Sequence, residues 1–373
     1  MKTIYLITPL LLLTATSILG QPAVQPAAAA AKKVASQKKA TAKNLAILIF
    51  DGVQIIDYTG PYETFGHAYS DEGPLFNIYT VAKTSDAITT AMGMSVNPKY
   101  TFVSAPEPEV LLIPGGNVER QLSDENVINW VQGQAKKATI TMSVCNGALI
   151  LAKAGLLDGL EATTTFALIP KLQEAAPKTR VVDNKRYVDN GTIITTAGLS
   201  SGIDGSLHVI QRLFGKGIAQ MAALGMEYNW DPDSHFVRAS LADKYMQFDY
   251  DVKFLPGGWM PLAREGGVDR WENKWAVTTE SSDTELLESI NRTITSNKRT
   301  RGPSQVRWIR QKDESANSTR SLWHFTDENG NIWNGLVRVE RHAGKQNQFT
   351  LTVAVDRDKI LMSTPKQSAG GTL

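Results

Sequence analysis

Hydrophobic positions along this chain follow two alternating rhythms. Leu45-Ala46-Ile47-Leu48-Ile49-Phe50 is unbroken apolar sequence, the mark of a parallel strand covered on both faces. Val110-Leu111-Leu112-Ile113 and the β-branched run Thr139 to Val144 read the same way, and Phe76 to Ala82 is a further strand. Between the strands the spacing becomes helical. Pro61 suits a first helical turn, and Tyr62, Phe65 and Ala68 carry that helix on. Asp124 to Lys137 sets Val127, Ile128 and Val131 on one face, with Ser123 as the expected N-cap. Ala148 to Ala152 is a short Ala/Leu helix that Gly155 stops. Thr89 to Tyr100 reads as short strands or a hairpin, and Phe166 to Ala175 as a helix. The turn signals Asp183-Asn184 and Asn190-Gly191 predict a hairpin over Arg180 to Thr196, followed by helices through Phe214 and Met226. This alternation predicts an α/β sandwich with a mostly parallel sheet over residues 44–230.

After Asp231-Pro232-Asp233-Ser234 the pattern changes. Six of the eight tryptophans lie beyond residue 250. Phe254 to Met260, with Pro256-Gly257-Gly258, reads as loop, and Lys274 to Thr279 as a strand. Ser282-Asp283-Thr284-Glu285 is a capping box, with Leu286, Leu287, Ile290 and Ile294 at helical spacing behind it. Val306 to Arg310, Ser321 to Phe325, Ile332 to Glu340 and Phe349 to Val355 read as strands, with a hairpin turn at Asn329-Gly330. A small α+β domain over 245–360 is expected, one helix on an antiparallel sheet. Trp259, Trp271 and Trp275 either fill its core or form a ligand platform, and in a small domain the core comes first.

The chain's ends read differently. Met1-Lys2, the apolar run Ile4 to Leu13 and the small residues up to Gly20 form a signal-peptide pattern over 1–20, too short to span a bilayer. An exported, periplasmic or secreted, protein without stable membrane insertion is the expectation. Residues 21–43 are Ala-, Pro-, Gln- and Lys-rich and read as a disordered basic linker, and residues 361–373 as a disordered tail. Net charge is only +2, so nothing points to nucleic acid as a partner. No His/Cys/carboxylate cluster has metal-ligand spacing, and neither the dinucleotide nor the P-loop glycine pattern occurs, so no metal and no cofactor are expected.

The chemistry centres on Cys145, the only cysteine. Ser143-x-Cys145-x-Gly147 lies where a strand passes straight into a helix, with small residues on both sides. That is the logic of a nucleophile elbow: a strained turn that projects one side chain at the C-terminal edge of the sheet. The helix N-terminus is expected to lower the pKa of the thiol. A buried cysteine that only packs is the competing reading.

Pro114-Gly115-Gly116, Ser143-Val144-Cys145-Asn146-Gly147-Ala148 and Ala154-Gly155-Leu156-Leu157-Asp158-Gly159 resemble the ThiJ/PfpI superfamily. That group shares its fold with class I glutamine amidotransferase domains. Asp57-Tyr58-Thr59-Gly60-Pro61, Ala162-Thr163-Thr164 and Ser201-Gly202-Ile203-Asp204 resemble one branch more closely, that of isonitrile hydratases and of the amidotransferase-like domains of some transcription regulators. The resemblance covers about residues 44–230 and implies a three-layer, flavodoxin-like α/β/α sandwich. It places Cys145 as the nucleophile and Asp57 as the acid facing it. The N–H groups of Gly116 and Asn146 become candidates for holding developing negative charge, and Gly115, Thr165 and Ser200 candidates for the pocket. It also implies a homodimer. The chain departs from the pattern at Asn146, where isonitrile hydratases carry threonine, and at Thr165-Phe166, where many members carry histidine. A bland alternative for Asp57 is a helix cap on the amides of Thr59 or Gly60.

Two functions follow. One is a cysteine-dependent hydrolase or lyase acting on a small molecule. The other is a non-catalytic ligand-binding or oxidant-sensing module on the same fold.

Overall fold

The structure, a computed structural model, describes residues 42–234, 236–246, 258–296, 306–312 and 319–357. The expected leader, all but the end of the basic linker, and the C-terminal tail lie outside the described residues. Among those described, no helix is long and apolar enough to cross a membrane.

The first domain starts with β1 (Lys43–Leu48), so Lys43, the last residue of the expected linker, already belongs to the sheet, with Nζ 2.8 Å from Glu109 Oε1. Then follow α1 (Ile55–Gly66), β2 (Phe76–Ala82), β3 (Tyr100–Thr101), β4 (Val110–Ile113), α2 (Glu125–Ala135), β5 (Ile140–Val144), α3 (Gly147–Lys153), α4 (Ile169–Ala175), β6 (Tyr187–Asp189), β7 (Ile193–Thr196), α5 (Ser201–Phe214) and α6 (Lys216–Gly225). The seven strands lie in the order β6-β7-β5-β4-β1-β2-β3, parallel except for the β6–β7 hairpin. Every residue of β4 and β5 is buried, as expected for strands covered on both faces. The chain runs outward from β1 through β2 to β3, then returns to β4 on the other side of β1. That reversal opens a crevice at the carboxyl ends of β1 and β4, the usual ligand position in such sheets.

Two helix starts differ from the pattern. α1 begins at Ile55 rather than near Pro61, because Gln54 N donates to Gly115 O at 2.9 Å and fixes the chain before the proline. Pro61 falls inside the helix, where it has no N–H to donate, and the Thr59 and Thr64 hydroxyls donate to the Ile55 and Gly60 carbonyls, each at 2.8 Å. α2 is capped by Asp124, which accepts from Asn126 N at 3.0 Å. Ser123 instead ends a short helix over Glu119–Ser123 that the pattern did not mark.

The second domain holds β8 (Gly258–Gly266), β9 (Arg270–Thr278), α7 (Asp283–Ser296), β10 (Ile309–Arg310), β11 (Arg320–Thr326), β12 (Ile332–Arg341) and β13 (Gln348–Asp356). Its antiparallel sheet has the order β8-β9-β13-β12-β11-β10. The end of the stretch read as loop, Gly258 to Met260, lies in β8, and residues 254–257 lie outside the described residues. β8 is an edge strand with mostly exposed residues, so it lacks the alternation that marks a half-buried strand, and an edge tolerates Pro261. The capping box forms, with Ser282 N donating to Glu285 Oε2 at 2.8 Å and Glu285 N to Ser282 Oγ at 3.2 Å. Leu286, Leu287, Ile290 and Ile294 of α7 join Trp275, Trp323, Phe325 and Trp333 in one core. Trp259 and Trp271 are half-buried against that core, so the three tryptophans form no open platform.

The join is anchored at its far end. Tyr245 is buried against the Trp333 ring at 4.7 Å, and its carbonyl accepts from Trp308 Nε1 at 3.1 Å. Beside it, Asp327 accepts from Trp333 Nε1 at 2.9 Å and from Asn331 N at 2.8 Å. Burial works against its charge, but the hydrogen bonds from Asn331, Trp333 and Asn329 prevail and hold its pKa at about 2. Such a carboxylate stabilises the fold fully above its unfolded pKa, and that stability is lost as pH falls toward 2. Asp327→Asn is expected to cost about 2 kcal/mol at pH 7. Denaturant unfolding followed by tryptophan fluorescence should show the deficit shrink below pH 4.

Candidate active site

Cys145 occupies the turn between β5 and α3 with φ 55°, one of three non-glycine residues with positive φ among those described. Strain of this kind costs on the order of 1–3 kcal/mol and persists only where neighbours hold it. Here Cys145 N donates to Ala197 O at 3.1 Å, and the Thr164 hydroxyl donates to Cys145 O at 2.8 Å. The loop after β4 closes from the other side. A Cβ on Gly115 would sit 2.1 Å from Asn146 Oδ1 and 2.8 Å from Asp57 Oδ2, so only glycine fits there.

Asp57 is the third residue of α1 and fully buried. It caps no helix: the N-cap position belongs to Gln54, and Asp57 Oδ2 accepts from Gly115 N at 3.2 Å. Its other oxygen, Oδ1, is buried without a hydrogen bond of ordinary geometry. Burial raises the carboxyl to about 7, against the opposing pull of the Gly115 N–H, the Cys145 thiol and the Leu199 N–H. Leu199 is itself held at φ 51°. Burial, then the Asp57 charge, pushes the Cys145 thiol up to about 12, against the Asn146 N–H and the Thr165 hydroxyl. The expected depression of the thiol pKa is thus overturned. A short helix start does not outweigh desolvation and an adjacent carboxylate. Near neutral pH Asp57 is divided between its acid and carboxylate forms, and the thiol keeps its proton.

Asn146 answers differently from the reading of its backbone alone. Its side chain clamps Gly116, with Gly116 N donating to Oδ1 and Nδ2 donating to Gly116 O, both at 2.8 Å. Gly116 N–H is therefore occupied and is no free donor for developing charge. The Asn146 N–H remains beside the sulfur.

Thr165 and Ser200 line a cavity of about 310 Å³ next to the pair, and Gly115 does not. Neither Cys145 nor Asp57 lines it; it adjoins them through Thr165 and Leu199. Arg186, Val237 and Arg238, all absent from the motif reading, complete its wall. No local pattern marks them, because they meet only in the fold.

No histidine acts on the thiol among the described residues. His67 pairs with Glu63 at 3.2 Å, and His208 pairs with Asp189 at 2.7 Å while stacking on Tyr187. His235 lies outside the described residues. No group of three His, Cys, Asp or Glu side chains suited to a metal occurs among those described.

The fold and this elbow have relatives. The DJ-1/PfpI family model matches residues 43–212. An isonitrile hydratase of Pseudomonas putida is 35% identical over 191 residues, which cover 50% of this chain and 79% of that protein. The chain belongs to the DJ-1/PfpI family. The HTH-type transcriptional regulator GbdR of Pseudomonas aeruginosa is 25% identical over 176 residues, and the match spans about half of each protein, 47% of both. Among solved structures, a ThiJ/PfpI family protein from Pseudomonas syringae aligns at 30% identity and a TM-score of 0.47, over 52% of this chain and 78% of that one. The DJ-1/PfpI match ends before the join, so the C-terminal domain lies outside the family region.

The raised carboxyl has a stability signature. A carboxyl whose folded pKa lies above its unfolded value stabilises fully below pH 3.8, and that stability is lost as pH rises to about 7. Asp57→Asn lacks this decline. Its stability advantage over the parent should grow between pH 4 and pH 7 by up to roughly 4 kcal/mol, then level off. Denaturant melts at several pH values measure it.

Proposed function

We propose that this DJ-1/PfpI protein is a cysteine-dependent hydrolase or lyase of the isonitrile-hydratase kind, with Cys145 as nucleophile and Asp57 as acid and base. The observation that carries the reading is the pairing of a thiol on a strained elbow with a fully buried carboxyl raised to about 7. A carboxyl poised near the working pH is well matched to moving protons in both directions.

Asp57 takes the thiol proton as sulfur forms a bond to the electrophilic carbon. The proton is then returned to that carbon, leaving a carbon–nitrogen double bond bearing sulfur. Water adds to this bond, the carbon–sulfur bond breaks, and the thiol recovers its proton. The net change for an isonitrile is the addition of one water to give a formamide, with Asp57 and Cys145 unchanged. Oxidant sensing is the weaker reading, because sensor cysteines are accessible and easily ionised, whereas this thiol is held protonated.

Alkylation of Cys145 by iodoacetamide should rise with pH through about 7, following Asp57 ionisation, and then flatten. Asp57→Asn should remove that inflection and slow both alkylation and turnover of a small alkyl isonitrile by roughly 10²–10⁴-fold. A thiol that reacts only after denaturation, or a profile identical in the variant, would reject the assignment.

A further inference from the structure

The cavity beside the dyad has a wall that the family region does not supply. The DJ-1/PfpI match ends at residue 212, yet Phe236, Val237, Arg238 and Ala239 face the cavity. This strap is tied at both ends. Arg186 Nη1 donates to Phe236 O at 3.2 Å, and the Arg238 guanidinium lies 4.3 Å from the centre of the Phe166 ring while pairing with Asp243. Seven residues beyond Arg238 comes Tyr245, buried in the core of the C-terminal sheet.

The cavity is mixed in chemistry. Part of its lining is polar. Arg186 Nε donates to Asp204 Oδ2 at 2.6 Å, Nη2 pairs with the same carboxylate, and Nη2 also donates to Ser200 Oγ at 3.2 Å. A guanidinium has five N–H groups. These contacts and the Phe236 carbonyl use four, and the guanidinium also hydrogen-bonds Tyr228, so the arginine is held from every side. Ser200 Oγ accepts from Arg186, so its own O–H is left to donate. Asp204 is buried and receives Tyr228 O–H at 3.0 Å, which holds the arginine in place. Asp183 and Lys185 also line the cavity, and Lys185 is paired with Glu161. Apolar lining comes from Phe166, Leu199 and the buried Val237, with the exposed Phe236 ring, and the Arg238 guanidinium lies over Phe166. A volume of about 310 Å³ falls at the small end of ligand sites, which span about 300–1,000 Å³.

We propose that this cavity binds a small molecule with a ring-sized apolar body and a hydrogen-bond-accepting head, a carboxylate or an amide carbonyl, and that the strap sets which bodies fit. The head meets the Ser200 hydroxyl, which Arg186 holds in place; the body lies against Phe166 and Val237. The C-terminal domain thereby acts as a specificity element, fixing the strap through Tyr245. The proposal rests on the catalytic reading only for the way the ligand faces, since binding does not require the thiol.

Calorimetric titration of the full chain with phenylacetate and phenylacetamide tests it and separates a charged from a neutral head. One or both should bind. Ser200→Ala should weaken that binding by about tenfold or more, as should Val237→Phe, which fills the cavity. Val237→Ala should admit 2-naphthylacetate, which the parent excludes. Absence of binding of either compound at ~10 mM, or affinities unchanged in both Ser200→Ala and Val237→Phe, overturns the proposal. Binding by a protein whose thiol ignores iodoacetamide would leave this site standing and remove the catalytic reading. The opposite result would do the reverse.

Discussion

The site depends on how closely the loop after β4 approaches the turn after β5. A Cβ on Gly147 would lie 2.2 Å from Ile113 O, and one on Gly115 would lie 2.1 Å from Asn146 Oδ1. With no side chains in the way, Asn146 can bond both polar groups of Gly116. Those two bonds, with the contacts of Cys145 to Ala197 and Thr164, hold a left-handed cysteine that the backbone alone would not adopt. Asp57 arrives from a different element and is registered to the same loop by Gly115 N–H. The thiol and the carboxyl therefore share one rigid reference, which is what proton transfer between them needs.

Burial then decides the charge. Two acids in a dry site cannot both ionise, because each charge penalises the other and neither is well solvated. The carboxyl is favoured to carry the single charge because it accepts from Gly115 N–H, whereas the thiol has burial and a neighbouring anion against it. The consequence is a thiol that stays protonated while the carboxyl beside it titrates. The fold sacrifices stability for this: a fully buried carboxyl that ionises near neutral pH is the kind of defect that functional sites retain and cores do not.

Much of this was readable in the chain. The runs at 45–50 and 110–113 are apolar enough to mark covered parallel strands, the run at 139–144 is marked by its β-branched residues, and Gly155 stops its helix where expected, at φ 70°. Cys145 and Asp57 carried local signals, a strand-to-helix elbow and a family motif. What stayed hidden needed partners distant in sequence. The early start of α1 follows from the Gln54–Gly115 hydrogen bond, which no helix rule contains. β8 was missed because an edge strand with two wet faces has no hydrophobic rhythm. The thiol pKa went the other way because an N-terminal helix effect is visible in a motif, while desolvation is visible only in the fold. Arg186 reaches the cavity through a hairpin and Val237 through the interdomain join, and neither stands in a recognisable pattern.

The Asn146 clamp also bears on which chemistry suits the site. Hydrolysis of an amide or ester passes through an oxyanion that wants at least two preorganised donors. Here Gly116 N–H is occupied by Asn146 and Gly115 N–H by Asp57, which leaves the Asn146 N–H beside the sulfur. Addition of a thiol to an isonitrile carbon makes no oxyanion at that step. It needs a nucleophile and a group that can hand the same proton onward, and Asp57 is placed for that. Although Asn146 departs from the threonine of the isonitrile-hydratase pattern, its clamp on Gly116 is, on the proposed reading, compatible with the addition step at a carbon–nitrogen centre. On the proposed reading the Asn146 amide fixes the loop and Asp57 moves the proton during addition, while the later entry of water still passes through a tetrahedral carbon bearing oxygen.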